Sequence, residues 1–226
     1  MIKAVLNREP RLSETKIRSS VFGLQAEVLA GIYQEEINIA IWKRELIPNI
    51  SHSAKFVLTK NPNLKLSVTA SPKNISKILE EAIGLEDDAL ALIIDVKDIV
   101  DIFCCLFDVN QVGLRLVSLT HAMCPRFHVD NVPCRLLTTY CGNGTEWLNH
   151  DCVNREKLGP RSNGVPDDRS GLFKNNSDIQ ELCEGEIALL KGESWVGNEL
   201  AGLVHRSPSL KTNESRLLLS VDFISR

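Results

Sequence analysis

The 226-residue sequence has no charge surplus: 26 Lys and Arg against 29 Asp and Glu leave a net charge of −3. A chain that holds nucleic acid mainly by neutralising phosphates carries a basic excess, so that class is not expected. No C-x-x-C pair is present, and the seven cysteines, at 104, 105, 124, 134, 141, 152 and 183, are odd in number and follow no small-scaffold spacing. A secreted disulfide framework is disfavoured, and a reducing, cytoplasmic setting is expected. No long apolar run is free of charge. The most apolar stretch, residues 89–106, is interrupted by Asp95, Lys97, Asp98 and Asp101. Each of these at mid-bilayer would cost about 2.5–3.5 kcal/mol, so the stretch does not read as a membrane span. The apolar run in residues 1–8 is too short for a signal peptide. Internal repeats, a P-loop, a dinucleotide-binding glycine fingerprint and a G-x-S-x-G elbow are all missing, which removes the commonest nucleotide-binding and serine-hydrolase readings.

What is present fits one globular domain, or one domain with a small appendage: 43% of residues are hydrophobic and 24% charged. Residues 1–20 are polar and are expected to be loosely ordered. Ile37, Ile39 and Ile41 alternate with Asn38 and Ala40, which predicts a strand with the three isoleucines on one face. Phe56-Val57-Leu58 and Leu64 to Val68 read as short strand-like or buried pieces. Ser71-Pro72 has the form of a helix start. Ile75, Ile78, Leu79, Ala82 and Ile83 follow at helical spacing, with Gly84 as the stop. A second helix is predicted from about Asp87 to Phe107.

From Gly113 onward the pattern changes to short apolar runs separated by turn signals. Strands are predicted at Leu114–Leu119, Arg135–Tyr140, Glu186–Leu190, Ala201–His205 and Arg216–Phe223. That succession suggests a sandwich or jelly roll. Residues 149–178, rich in Asn, Asp, Arg, Gly and Pro, read as a long loop of the kind that serves as a lid.

The residues that carry chemistry are His128, Asp130 and His205. On a strand, positions i and i+2 point to one face, so His128-Val129-Asp130 sets an imidazole beside a carboxylate. A second imidazole from a distant strand would complete a facial triad, which leaves open positions on the metal for substrate and O₂. His52, His121 and His150 have no partner at such a spacing and read as structural or exposed. Trp147 and Trp195 read as core residues.

At these residues the sequence resembles the Fe(II)/2-oxoglutarate dioxygenases, in particular the prolyl-hydroxylase-like branch. That superfamily shows H-x-D, a nearby hydrogen-bond donor, a distal His and a basic residue soon after it. Here His128-Val129-Asp130, Thr139-Tyr140, His205 and Arg216 stand in that order, within residues 113–226. The resemblance implies that His128, Asp130 and His205 hold Fe(II). It also implies that Arg216 pairs with the distal carboxylate of 2-oxoglutarate and that Tyr140 or Thr139 donates a hydrogen bond to the same cosubstrate. The reaction implied is oxidation of a C–H bond in a prime substrate. The fold implied is α+β: a double-stranded β-helix (jelly roll) over 113–226, with a helical N-terminal extension over 1–112. The whole chain is also similar to an uncharacterised bacterial family, which supplies no substrate.

Alternatives stand beside this reading. Leu218 occupies the place where that superfamily often carries a small hydroxyl, two positions after the cosubstrate Arg, with Ser220 four positions on. Arg135 is a second candidate for the anion partner, or a strand residue facing solvent. Zn²⁺ also suits two imidazoles and a carboxylate and would activate water for hydrolysis, or it would make a non-catalytic cupin-like metal-binding protein with a role in metal homeostasis. Cys124, Cys134, Cys141 and Cys152, around the H-x-D, offer a rival thiolate site.

Overall fold

The computed structural model describes residues 17–224. Of the stretch expected to be loosely ordered, residues 1–16 lie outside this range. Within it, Ser19–Gly23 forms a strand (β1) rather than a loose segment. Ala26–Tyr33 is a 3-10 helix, followed by β2 (Ile37–Trp42), α1 (Pro48–Lys60), β3 (Lys65–Ala70), α2 (Ile75–Ile83) and α3 (Asp87–Phe107). Next come β4 (Val112–Leu119), β5 (Cys134–Cys141), β6 (Glu146–Leu148), α4 (Asp167–Ser170), β7 (Ile179–Glu181), β8 (Ile187–Lys191), β9 (Val204–Arg206) and β10 (Arg216–Asp222).

The strands form two sheets. One has seven strands in the order β1-β2-β8-β5-β10-β4-β3, and the other has three, β7-β6-β9. The large sheet is antiparallel apart from the parallel β1–β2 pair. Period-2 alternation sends its side chains to two different cores. Leu114, Leu116, Leu136, Leu189, Leu217 and Leu219 point to the layer of α1, α2 and α3. Val117, Leu137, Ala188, Leu190 and Leu218 point the other way, toward Trp147 and Leu182 of the small-sheet region. A third cluster, of Phe127, Leu148, Leu172, Phe173 and Val204, covers the far side of the small sheet. The chain is thus α+β, and the space between the two sheets is an internal one.

The front of the chain is not a helical extension, because β1, β2 and β3 enter the large sheet at both of its edges. Three local expectations also change. Ile37 packs with the helices while Ile39 and Ile41 face the small sheet, because the register breaks between Ser19 and Ser20 and passes over Asn38. Phe56-Val57-Leu58 lies inside α1, where Pro48 sits in the first turn and Ser53, Ala54 and Val57 bury one stripe. Ser71-Pro72 forms a turn before α2 instead of opening it. The Asn74 side chain accepts from the Ser71 N–H at 2.7 Å and from its hydroxyl at 3.0 Å, which fixes that turn. α3 spans the predicted residues, and Gly84 ends α2 at φ +90.

All seven cysteines are free thiols; Cys104 is buried and Cys105 exposed. Among the described residues no helix is long and apolar enough to cross a membrane. The helix layer is fastened to the sheet by a buried charge cluster. Arg44 donates to both oxygens of Asp95, on α3, at 2.6 and 2.8 Å, and the Tyr140 hydroxyl donates to Asp95 Oδ2 at 2.6 Å.

Replacing Asp95 by Ala would leave Arg44 buried without its partner. A loss of about 3–5 kcal/mol is expected, read as a lower urea midpoint at unchanged slope.

Candidate metal centre

His128 lies between β4 and β5, and His205 is the middle residue of β9. The two meet as an isolated antiparallel bridge, each N–H donating to the other's carbonyl at 3.0 Å. Residues paired in this way project to the same face, and the two rings lie with centroids 4.5 Å apart. Asp130 turns toward them: Oδ1 is 3.6 Å from Nε2 of His128, and Oδ2 is 3.4 Å from Nε2 of His205. One ligand atom from each of the three residues falls within 4.8 Å of the others. The predicted strand is reduced to this single bridge, since Val129 and Asp130 have left the ladder. Asp130 keeps its orientation by another route, its carbonyl accepting from the Glu193 N–H at 3.0 Å.

Each imidazole is held through Nδ1, His128 against the Arg126 carbonyl at 2.9 Å and His205 against the Leu203 carbonyl at 3.2 Å. A carbonyl only accepts, so in the neutral ring Nδ1 carries the proton and Nε2 offers its lone pair to the centre. Burial opposes ionisation of Asp130. The two imidazoles beside it and the nearby Arg135 charge outweigh it and hold the carboxyl well below the usual carboxylate range. Burial also works against charge on His128, but Asp130 and the Arg126 carbonyl raise its pKa above the ordinary value. The donor set of two imidazoles and one carboxylate suits a first-row divalent cation.

Arg135 is neither an anion partner nor a solvent-facing residue. Its Nη1 donates to Asp130 Oδ2 at 2.6 Å, and its Nε and Nη2 hold Asp222 at 2.7 and 3.0 Å. It therefore buttresses the carboxylate of the triad.

Arg216 opens β10 and is 1% exposed. Its Nε and Nη2 donate to Thr139 Oγ1 at 3.2 and 2.8 Å, and Nη2 also donates to Thr145 Oγ1 at 2.8 Å. Among the described residues these hydroxyls are its only hydrogen-bond partners, so the buried charge has no bonded anion. Burial pushes its pKa down to about 10, against a small opposing pull from Glu181. A cavity between the sheets is lined by Thr145, His128, His205, Leu218 and Ser220, so the two imidazoles of the triad and one hydroxyl partner of Arg216 share one space.

Tyr140 does not join them. Alternation along β5 puts Thr139 on the inner face and Tyr140 on the helix face, where it is fully buried with its hydroxyl on Asp95. Its expected cosubstrate role is therefore corrected to a structural one. The rival thiolate site is not assembled either. Cys134 and Cys141 are buried in the helix-side core, and the one group of three potential ligands among the described residues contains no cysteine. His52 is exposed beside Asp88, and Trp147 is a core residue, as expected.

Sequence reasoning missed Thr145 and His150. Thr145 follows a turn and carries no pattern of its own. His150 lines a second cavity that opens at His128. The segment 149–178 walls that cavity and is not a bare loop: it contains short helices at His150–Cys152, Arg155–Lys157, Gly159–Ser162 and Asp167–Ser170.

Comparison with known proteins is consistent with this architecture. A dioxygenase for auxin oxidation from Arabidopsis thaliana, solved with 2-oxoglutarate, superposes with a TM-score of 0.53 at 9% identity, covering 93% of each chain. The rice dioxygenase for auxin oxidation gives a TM-score of 0.51 at 11% identity, over 92% of this chain and 83% of that one. At such identities the likeness is one of fold. No curated protein matches the sequence significantly. A family model described as "Protein of unknown function (DUF1826)" matches residues 23–222.

Two substitutions separate scaffold from site. Tyr140→Phe removes a hydrogen bond to a buried charge and is expected to cost about 1.5–3 kcal/mol in urea unfolding, with Mn²⁺ affinity, measured by electron paramagnetic resonance, unchanged. At Gly192 an added Cβ would stand 2.1 Å from the Val132 carbonyl oxygen and 2.7 Å from that of Asp130. Gly192→Ala is expected to displace Asp130 and to lower Mn²⁺ affinity by about 10–100-fold.

Proposed function

Because the chain belongs to the family described as protein of unknown function (DUF1826), which assigns no chemistry, we propose from the site itself that it is an Fe(II)/2-oxoglutarate-dependent oxygenase. The two sheets are then the halves of a double-stranded β-helix, whose metal-bearing residues lie within 113–226 and whose large sheet is extended by β1, β2 and β3. One observation supports the reading above the others: Arg216, a fully buried guanidinium with only threonine hydroxyls as partners, is bonded to Thr145, which lines the same space as His128 and His205. A buried charge normally finds a counter-charge. Here the missing counter-charge is the distal carboxylate of a dicarboxylic keto acid, which a planar guanidinium receives on two parallel N–H groups.

His128, Asp130 and His205 would hold Fe(II), which when bound supplies the activation of O₂ coupled to oxidative decarboxylation of the keto acid. The rest is done by the chain's own groups. The Arg126 and Leu203 carbonyls fix the imidazole tautomers. Arg135 keeps Asp130 anionic and oriented. Thr139 and Thr145 anchor the guanidinium so that its remaining N–H groups can meet a carboxylate. Leu137 and Leu218, between the sheets, exclude water along that space.

Isothermal titration of the metal-loaded protein tests this. Binding of 2-oxoglutarate is expected only with metal present. Arg216→Gln is expected to weaken it by about 2–5 kcal/mol while Mn²⁺ still binds, and His128→Ala should remove both. Metal-loaded protein that never takes up 2-oxoglutarate would refute the reading and favour a metal-binding module or a Zn²⁺ hydrolase.

A further inference from the structure

The second cavity, of about 830 Å³, meets the space that Thr145 lines at His128. His128 is the residue common to both, so whatever fills the outer cavity lies against the metal centre. Its walls include Val129, Leu158 and Leu200, which are apolar.

The polar end of the cavity is formed by Arg155 and His150. Arg155 Nη2 donates to the Gly202 carbonyl at 2.6 Å and meets His150 Nδ1 at 3.3 Å. Its Nη1 stands 3.7 Å from Glu193, beyond hydrogen-bond reach, and its Nε is shielded from solvent with no partner. Glu193 is already committed, accepting from the Leu200 N–H at 2.6 Å and the Gly202 N–H at 3.3 Å. Burial, Arg155 and Arg18 push the His150 pKa down to about 4, so this ring is neutral at pH 7 and accepts from Arg155. Glu193, at 3.7 Å, therefore offsets the guanidinium only in part, and Nε is left without a hydrogen-bond partner. Glu156, Arg161 and Glu199 also line the cavity, and all three are exposed.

Leu200 adds a separate observation. It adopts φ +60, a region costly for a branched side chain. Its N–H donates to the Glu193 carboxylate, and its side chain is 68% exposed at the cavity.

We propose, resting on the oxygenase reading above, that this outer cavity is the prime-substrate site and takes a small molecule with an apolar body and one carboxylate. Arg155 receives the carboxylate, while Val129, Leu158 and Leu200 enclose the apolar part and bring it against His128. One guanidinium beside a neutral imidazole matches a monoanion better than a phosphate ester, which would call for more cationic donors.

Ligand-observed NMR on the full chain, loaded with Zn²⁺ and saturated with 2-oxoglutarate to block the inner space, tests this with cyclohexylacetate and its neutral amide. Cyclohexylacetate is expected to bind at least about tenfold more tightly than cyclohexylacetamide. Arg155→Gln should abolish that preference without changing Mn²⁺ affinity. Leu200→Ala, at an exposed position, should weaken both compounds alike. Exchanging Zn²⁺ for Mn²⁺ should broaden the ring protons of the bound acid. Equal binding of acid and amide, an acid affinity untouched by Arg155→Gln, or no broadening by Mn²⁺ would overturn the assignment. Failure of the oxygenase reading would look different: no 2-oxoglutarate uptake by the metal-loaded chain, whatever cyclohexylacetate does.

Discussion

The reciprocal backbone hydrogen bonds between His128 and His205 are the constraint on which the centre depends. They clip together two segments distant in the chain, one leading into β5 and one running through β9, and set both imidazoles on the same side. A side-chain contact alone would leave the rings free to reorient, whereas a backbone bridge fixes the Cα positions and the direction of both Cβ bonds. Close backbone approach nearby makes the clip possible. A Cβ on Gly202 would stand 2.3 Å from Val129 Cγ1, so a larger residue there would push the H-x-D segment away from its partner strand.

Two arginines of the fold are matched by carboxylates. Arg44 is matched by Asp95 and Tyr140, and Arg135 by Asp130 and Asp222. Among the described residues Arg216 and Arg155, like the buried Arg18 and Lys191, are hydrogen-bonded only to neutral acceptors; of the four, Arg216 bonds a hydroxyl that lines the inner space and Arg155 lines the outer cavity. Burying an uncompensated charge is costly, and such costs concentrate at ligand sites.

Much of this was legible in the sequence, for identifiable reasons. α3 was readable because twenty-one residues of helical periodicity outweigh any single local preference. β4, β5, β8 and β10 were readable because each is a short apolar run bounded by turn residues. The H-x-D spacing exposed the triad, although its geometry comes from a bridge and a loop hydrogen bond instead of a regular strand. Tyr140 was misassigned because alternation says that neighbours on a strand diverge but not which face holds the site. Ile37 was misassigned because a register break carries no sequence signature. His150 and Arg155 were illegible as site residues: their meeting depends on how the segment 149–178 folds back over the small sheet, which no spacing encodes.

The position of β10 has a kinetic consequence. It follows the other nine strands along the chain, yet it lies in the interior of the large sheet, hydrogen-bonded to β5 on one side and β4 on the other. Until it inserts, β4 with β3 and β5 with β8 are two separate ribbons whose open edges face each other across a gap. Assembly of the barrel-like space is therefore a late, long-range event with high contact order, and the chain passes through a stage with two unpaired strand edges, the stage most exposed to misassociation. Arg216, at the start of that strand, reaches its threonine hydroxyls only when the gap closes.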